Sequence, residues 1–188
     1  MSGPGEAPLF VWGDAARAAK RRKLRIRRAA WASTAIALLA APEFWPPVPR
    51  LMWNVTASAP IGLYRVAPGA PLVRGNMVAA WPPTEVRRLA AQRQYLPLNV
   101  PLVKRVAASP GDLICAQGDS VSINGVLVAR REAADSRGRN LPHWNGCRRL
   151  LGDRYLLLND HPRSFDGRYF GPTGGDDILG KAVPLWVH

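Results

Sequence analysis

In NVTASAPIGLYRV, residues 54–66, Thr56, Ser58 and Pro60 stand at alternate positions. Alternate side chains of an extended chain share a face, so the two hydroxyls point to one side. A serine attacks a carbonyl only beside a base that takes its proton. Histidine is the usual base, and the chain offers His143, His161 and His188, in a basic stretch, a Pro-flanked stretch and the last position. No G-x-S-x-G elbow surrounds any serine. His161, beside Asp160, is the histidine worth testing, although a solvated loop residue is the simpler reading. A lysine serves instead where burial keeps it neutral, because desolvation disfavours the charged form. In PLVKRVA, residues 101–107, Leu102, Lys104 and Val106 share one strand face, and Val103, Arg105 and Ala107 the other. Lys104 thus has apolar neighbours while Arg105 can stay in water. A lysine on an edge strand, reaching out to solvent, fits the pattern equally well. Acyl transfer also needs donors aimed at the oxyanion. The Ser58 N–H and the Thr56 hydroxyl are the candidates, with Pro60 stiffening the chain just after them.

Short strands must hold these residues. Eighteen Pro and 17 Gly in 188 residues favour turns and argue against a helical bundle. GLYRV at 62–66 and GNMVAAW at 75–81 read as turn-bounded strands. Residues 82–98 open with Pro-Pro and carry Val86, Leu89 and Ala90 at helical spacing, which predicts a short helix or ordered loop. SPGD at 109–112 is a turn, and the Asn-Gly of VSINGVLV, 121–128, predicts a two-residue hairpin. Residues 130–150 form a basic, polar and aromatic excursion. Residues 152–158 return to strand, and a loop and a final strand complete the chain. The expected class is mainly β, with coiled antiparallel sheets or a partial barrel.

The formal charge of +13 suggests nucleic acid until its distribution is read. Residues 20–28, KRRKLRIRR, carry seven basic side chains, and Ala29–Ala41 carries no charge. A basic block before an apolar segment is the arrangement of the positive-inside rule. It divides the chain into a cytoplasmic segment (1–28), a membrane anchor (29–48) and an extracytoplasmic domain (49–188). Thirteen apolar residues are fewer than the roughly 20 that span a bilayer. The segment reaches that length only by including Pro42–Val48, whose prolines would interrupt a helix and whose Phe44 and Trp45 would sit at the interface. A cleaved signal fits as well. From Arg50 onward 18 Lys and Arg face ten Asp and Glu, a field suited to anionic headgroups or an acidic partner. Cys115 and Cys147 are either a disulfide, worth about 2–4 kcal/mol, or two buried thiols, and their spacing has no metal pattern.

Four blocks in order resemble the signal peptidase family (peptidase S26, bacterial leader peptidases), and within it the conjugative-transfer, TraF-type branch. TASAPIGLY at 56–64 is similar to that branch's S-x-P-x-G-x-Y, and PLVKRVAASPGD at 101–112 to its lysine block. SFDGRYFG at 164–171 is similar to Ser-x-Asp-Ser-Arg-Tyr-x-Gly, and ILGKAVPLW at 178–186 to the C-terminal Gly-(Lys/Arg)-Ala-x-Pro-Leu-Trp. The resemblance implies coiled antiparallel β-sheets of the signal-peptidase type behind one membrane helix. It implies Ser58 as nucleophile, Lys104 as general base and Thr56 as an oxyanion hydroxyl. Ser164 and Asp166 would orient the lysine, and Arg168 would be structural. Two departures stand out. The housekeeping enzymes have Ser-Met-x-Pro, one residue longer, and Gly167 replaces a common Ser.

The function implied is a Ser–Lys endopeptidase without metal or cofactor, anchored once in the inner membrane with its catalytic domain in the periplasm. Its substrate would be a pilin-like precursor with small, Ala-like residues before the cut. The acyl-enzyme would be released by water or by the substrate's own amino terminus, which closes a ring. Membrane lipid and a type IV secretion or conjugation apparatus are the other expected partners, and nucleic acid is not. The rivals are a general preprotein signal peptidase, a self-cleaving repressor-like protease and a non-catalytic tethered assembly protein that uses 130–150 for binding.

Overall fold

The structure is a computed structural model that describes residues 9–44 and 49–188. The chain divides into two units, Met1–Pro47 and Val48–His188. In the first, α1 spans Leu9–Phe44. Residues 15–41 hold neither Gly nor Pro and are rich in Ala, Arg, Lys and Leu, all strong helix formers. The basic block and the apolar segment therefore share one helix. It continues through Pro42, which the sequence reading expected to interrupt it. Among the described residues no helix is long and apolar enough to cross a membrane. The expected interfacial side chains of Phe44 and Trp45, and Pro46–Val48 beyond them, lie outside the described residues.

The second unit is mainly β. Its strands are β1 (Leu51–Asn54), β2 (Gly62–Ala67), β3 (Met77–Ala80), β4 (Leu102–Ala108), β5 (Leu113–Gln117) and β6 (Ser120–Ile123). They continue with β7 (Val126–Arg130), β8 (Gly146–Arg149), β9 (Arg154–Leu158), β10 (Thr173–Gly174) and β11 (Ile178–Val187). α2 (Thr84–Gln92) fills the stretch read as helix or loop, and α3 is one turn, Gly167–Phe170. One sheet runs β1-β2-β11-β3-β4-β9-β10 and the other β7-β6-β5-β8, antiparallel throughout. β11 pairs with both β2 and β3, and its register shifts at 178–180 and at 184–186. Such bulges bend a strand and coil the sheet. At Gly62, where φ is 143°, an added Cβ would lie 2.1 Å from the Trp186 carbonyl oxygen, so only glycine lets β2 and β11 approach there.

The coiling covers both faces of β4. Lys104 is buried with Leu102 and Val106, the first of the two readings its alternation left open, and Arg105 reaches solvent, where it pairs with Asp160 at 2.9 Å. Val103, on the Arg105 side, is buried too, beneath Met52, Tyr64, Val66, Ala79 and Ala182. In the smaller sheet Asn124 (φ 49°) and Gly125 (φ 82°) make the expected hairpin turn.

β8 lies within the 130–150 excursion and pairs Cys147 directly with Cys115 of β5, where the two cysteines form a disulfide. The bridge closes a 32-residue separation and pins an exposed edge strand. Cys115→Ala/Cys147→Ala is expected to lose about 2–4 kcal/mol of unfolding free energy in denaturant titration. Equal stability of the two proteins would show that the bridge carries no constraint.

Candidate active site

Ser58 sits in a turn, not in the extended chain expected, and the Ala59 N–H approaches the Thr56 carbonyl at 3.4 Å. The cause is Asn54, the last residue of β1, which sequence reasoning missed. Its buried Nδ2 shares its two protons among the carbonyls of Thr56 (3.0 Å), Ala59 (3.2 Å) and Pro60 (3.0 Å). Its Oδ1 accepts from the Thr56 N–H (3.1 Å) and the Thr56 hydroxyl (2.8 Å). The turn still brings the Thr56 and Ser58 hydroxyls together, 3.5 Å apart. Tyr64 closes the loop by donating to the Pro60 carbonyl at 2.7 Å. Burial pushes the Tyr64 pKa up, which keeps it a donor.

Lys104 reaches this turn from β4. Its Nζ is 3.0 Å from Ser58 Oγ and 2.7 Å from Ser164 Oγ, and the residue is 2% exposed. Burial lowers its pKa from 10.5 to about 8; the charge of Asp166 opposes the shift and that of Arg168 reinforces it. A neutral amine there can donate to Ser164 and accept the Ser58 proton through its lone pair.

Asp166 makes no hydrogen bond to the lysine among the described contacts. It caps α3, accepting from the Arg168 N–H at 3.1 Å, and pairs with the Arg168 guanidinium at 2.8 and 3.1 Å. Arg168 also donates to the carbonyls of Pro162 (2.7 Å) and Asn159 (2.7 Å). The two side chains are almost wholly buried. Asn159 is a second residue that sequence reasoning missed. Its N–H donates to Asp166 at 3.0 Å, and its Nδ2 donates to the Val103 carbonyl at 3.0 Å and towards Ser58 Oγ at 3.4 Å. The ion pair is thereby linked to the serine.

Gly167 has a packing reason. A Cβ there would lie 2.8 Å from the Leu157 carbonyl oxygen and 2.9 Å from Leu156 Cδ1. Gly167→Ser is expected to cost about 1–3 kcal/mol in denaturant titration. A serine tolerated without loss would mean that β9 yields at no cost.

A cleft of about 400 Å³ opens beside Ser58 and Lys104, with Leu96, Leu102, Leu141 and Phe165 among its apolar walls. Part of the 130–150 excursion is one wall. Asp135 pins it, accepting from the Tyr95 hydroxyl, from the N–H groups of Arg137 and Arg139, and from Arg139 Nε. These bonds, that of Tyr95 foremost, hold the Asp135 carboxyl well below the usual carboxylate range. His161 also lines the cleft, but its Nδ1 accepts from the Arg163 N–H and Asp160 is taken by Arg105, so the pair forms no base for Ser58. Among the described residues no group of His, Cys, Asp and Glu could hold a metal ion.

Residues 24–187 match the family described as signal peptidase, peptidase S26. A plasmid transfer protein TraF from Escherichia coli is 35% identical over 143 residues, covering 70% of this chain and 80% of that protein. A conjugal transfer protein TraF from Agrobacterium fabrum is 33% identical over 145 residues, covering 71% and 81%. Among solved structures, a signal peptidase I from Enterococcus faecalis covers 61% of this chain and 98% of its own at 22% identity, with a TM-score of 0.34.

Proposed function

The chain belongs to the signal peptidase family, peptidase S26, and from that premise we propose that it is a serine endopeptidase of a conjugative-transfer system with Ser58 as nucleophile and Lys104 as general base. One observation carries the assignment: a lysine buried to 2% exposure, with a pKa of about 8, lies 3.0 Å from a serine hydroxyl. Lys104 takes the Ser58 proton as Oγ attacks the peptide carbonyl, and Ser164 holds the amine in line. The Ser58 N–H, which donates to no protein group among the described residues, is available to the oxyanion. Lys104 then protonates the leaving amine and an acyl-enzyme remains. Water releases a linear product, or the substrate's amino terminus releases a ring.

The similarity to TraF proteins supports work within a conjugation apparatus, and the substrate that the four sequence blocks imply is a pilin-like precursor with small residues before the cut. Work at the periplasmic face of the inner membrane is supported by the basic block of α1 and by an exposed apolar patch on β1 and β11. There Trp53 and Trp186 stand 5.6 Å apart, and Leu51 and Leu185 of the same strands are exposed. Paired aromatics of this kind suit a membrane–water interface.

The test is co-expression with the small hydrophobic pilin precursor of the same transfer system, read by intact mass. The wild type should shorten it while Ser58→Ala and Lys104→Ala leave it whole. A product lighter than the linear cut by one water would identify ring closure. Processing by both variants at the wild-type rate would remove the dyad and favour a binding role.

A further inference from the structure

We propose that Asn54 is a positioning residue that acts through Thr56: its carboxamide builds the nucleophile turn and holds the Thr56 hydroxyl as a donor in reserve for the oxyanion. The inference rests on the Ser58–Lys104 reading and adds to it.

The amide orientation is unambiguous. Nδ2 faces three carbonyls, and an oxygen in its place would meet three acceptors. Oδ1 therefore accepts both the N–H and the hydroxyl proton of Thr56. Before substrate enters, Thr56 turns only lone pairs towards Ser58, 3.5 Å away. A hydroxyl in that state gives an oxyanion nothing. Its proton is nevertheless cheap to redirect. Rotation about Cβ–Oγ1 aims it into the cleft without moving a heavy atom, and Asn54 Oδ1 keeps the Thr56 N–H at 3.1 Å, so no buried acceptor is left unpaired. The negative oxygen of a tetrahedral intermediate is a stronger acceptor than an amide oxygen, and draws the proton away only when charge develops. An interaction made only in the transition state raises kcat and leaves KM alone. Asn54 is 5% exposed and stands outside the cleft lining, so its effect on rate must pass through the turn and Thr56.

The experiment uses the purified full chain in detergent with the pilin precursor of the co-expression assay. It compares wild type, Asn54→Ala, Thr56→Val, Thr56→Ser and the Asn54→Ala/Thr56→Val double variant, with Ser58→Ala as the inactive reference. The expectation is that Asn54→Ala and Thr56→Val each lower kcat about 10–100-fold with KM within about twofold. The double variant should lose no more than Asn54→Ala alone, and Thr56→Ser should recover most of what Thr56→Val loses. Thr56→Val is nearly isosteric and leaves the Asn54 Nδ2 contacts in place, so a full rate in it overturns the inference even if Asn54→Ala unfolds the turn. A full rate in Thr56→Val, or losses that multiply in the double variant, would overturn the inference while leaving the dyad standing. An active Ser58→Ala would instead sink the dyad itself.

Discussion

Ser58→Ala and Lys104→Ala are each expected to reduce precursor processing at least about 10⁴-fold, and the double variant is expected to be no slower than either. A nucleophile and its base act as a unit, so removing the second after the first costs nothing more. Wild-type kcat/KM should rise with pH to a plateau, half-maximal near pH 8, where the buried amine loses its proton. The same titration bears on folding. Below about pH 8 Lys104 is charged in both folded and unfolded chains. Between about 8 and 10.5 the unfolded chain binds its proton and the folded one does not, so unfolding free energy climbs with pH across that window. Lys104→Met abolishes that contribution, and the stability difference between variant and wild type should drift by the same slope. A rate profile centred near pH 10, or a difference flat from pH 8 to 10, would contradict a Lys104 neutralised by burial.

Alternation showed that Leu102, Lys104 and Val106 share a face. It left a buried lysine and one reaching solvent from an edge strand equally open, and the pairing of β4 between β3 and β9 decides for burial. Arg105 was legible on the opposite face, in water. The burial of Val103 was not, since the side chains that cover it, among them Met52, Tyr64 and Ala182, come from strands remote in sequence. The hydroxyl pair was read correctly from the wrong geometry. Alternation predicted an extended segment, whereas Asn54 gathers three carbonyls and bends it. No local pattern marks an asparagine whose partners are two to six residues ahead. Asn159 lies 101 positions from Ser58, and only the pairing of β4 with β9 brings them together. The cysteines were left open as bridge or thiols, because the register of β5 on β8 is a tertiary fact. The basic stretch of 130–150 read as an excursion, and part of it folds as a wall of the cleft. Its charges said nothing of that, because Asp135, one of two acids among six arginines, does the pinning.

Arg168→Met and Asp166→Asn should move the pH profile in opposite directions while both destabilise the fold. Arg168 adds positive potential near Lys104 and helps to lower its pKa; Asp166 raises it. Without the guanidinium, the carboxylate acts unopposed on the lysine, the proton is held more tightly, and half-maximal activity moves above pH 8. In Asp166→Asn the guanidinium acts alone, and half-maximal activity moves below pH 8. Each substitution also strands a buried charge. Asp166 would keep only the N–H groups of Asn159 and Arg168, and Arg168 would keep the carbonyls of Pro162 and Asn159. Breaking a buried pair on one side costs about 3–5 kcal/mol. Denaturant titration measures that loss, and kcat/KM between pH 6 and 10 measures the shift. Profiles that move the same way would show that the pair acts on the lysine through distortion of the loop carrying Ser164. Opposed profiles with Ser164 in place would show that it acts by charge.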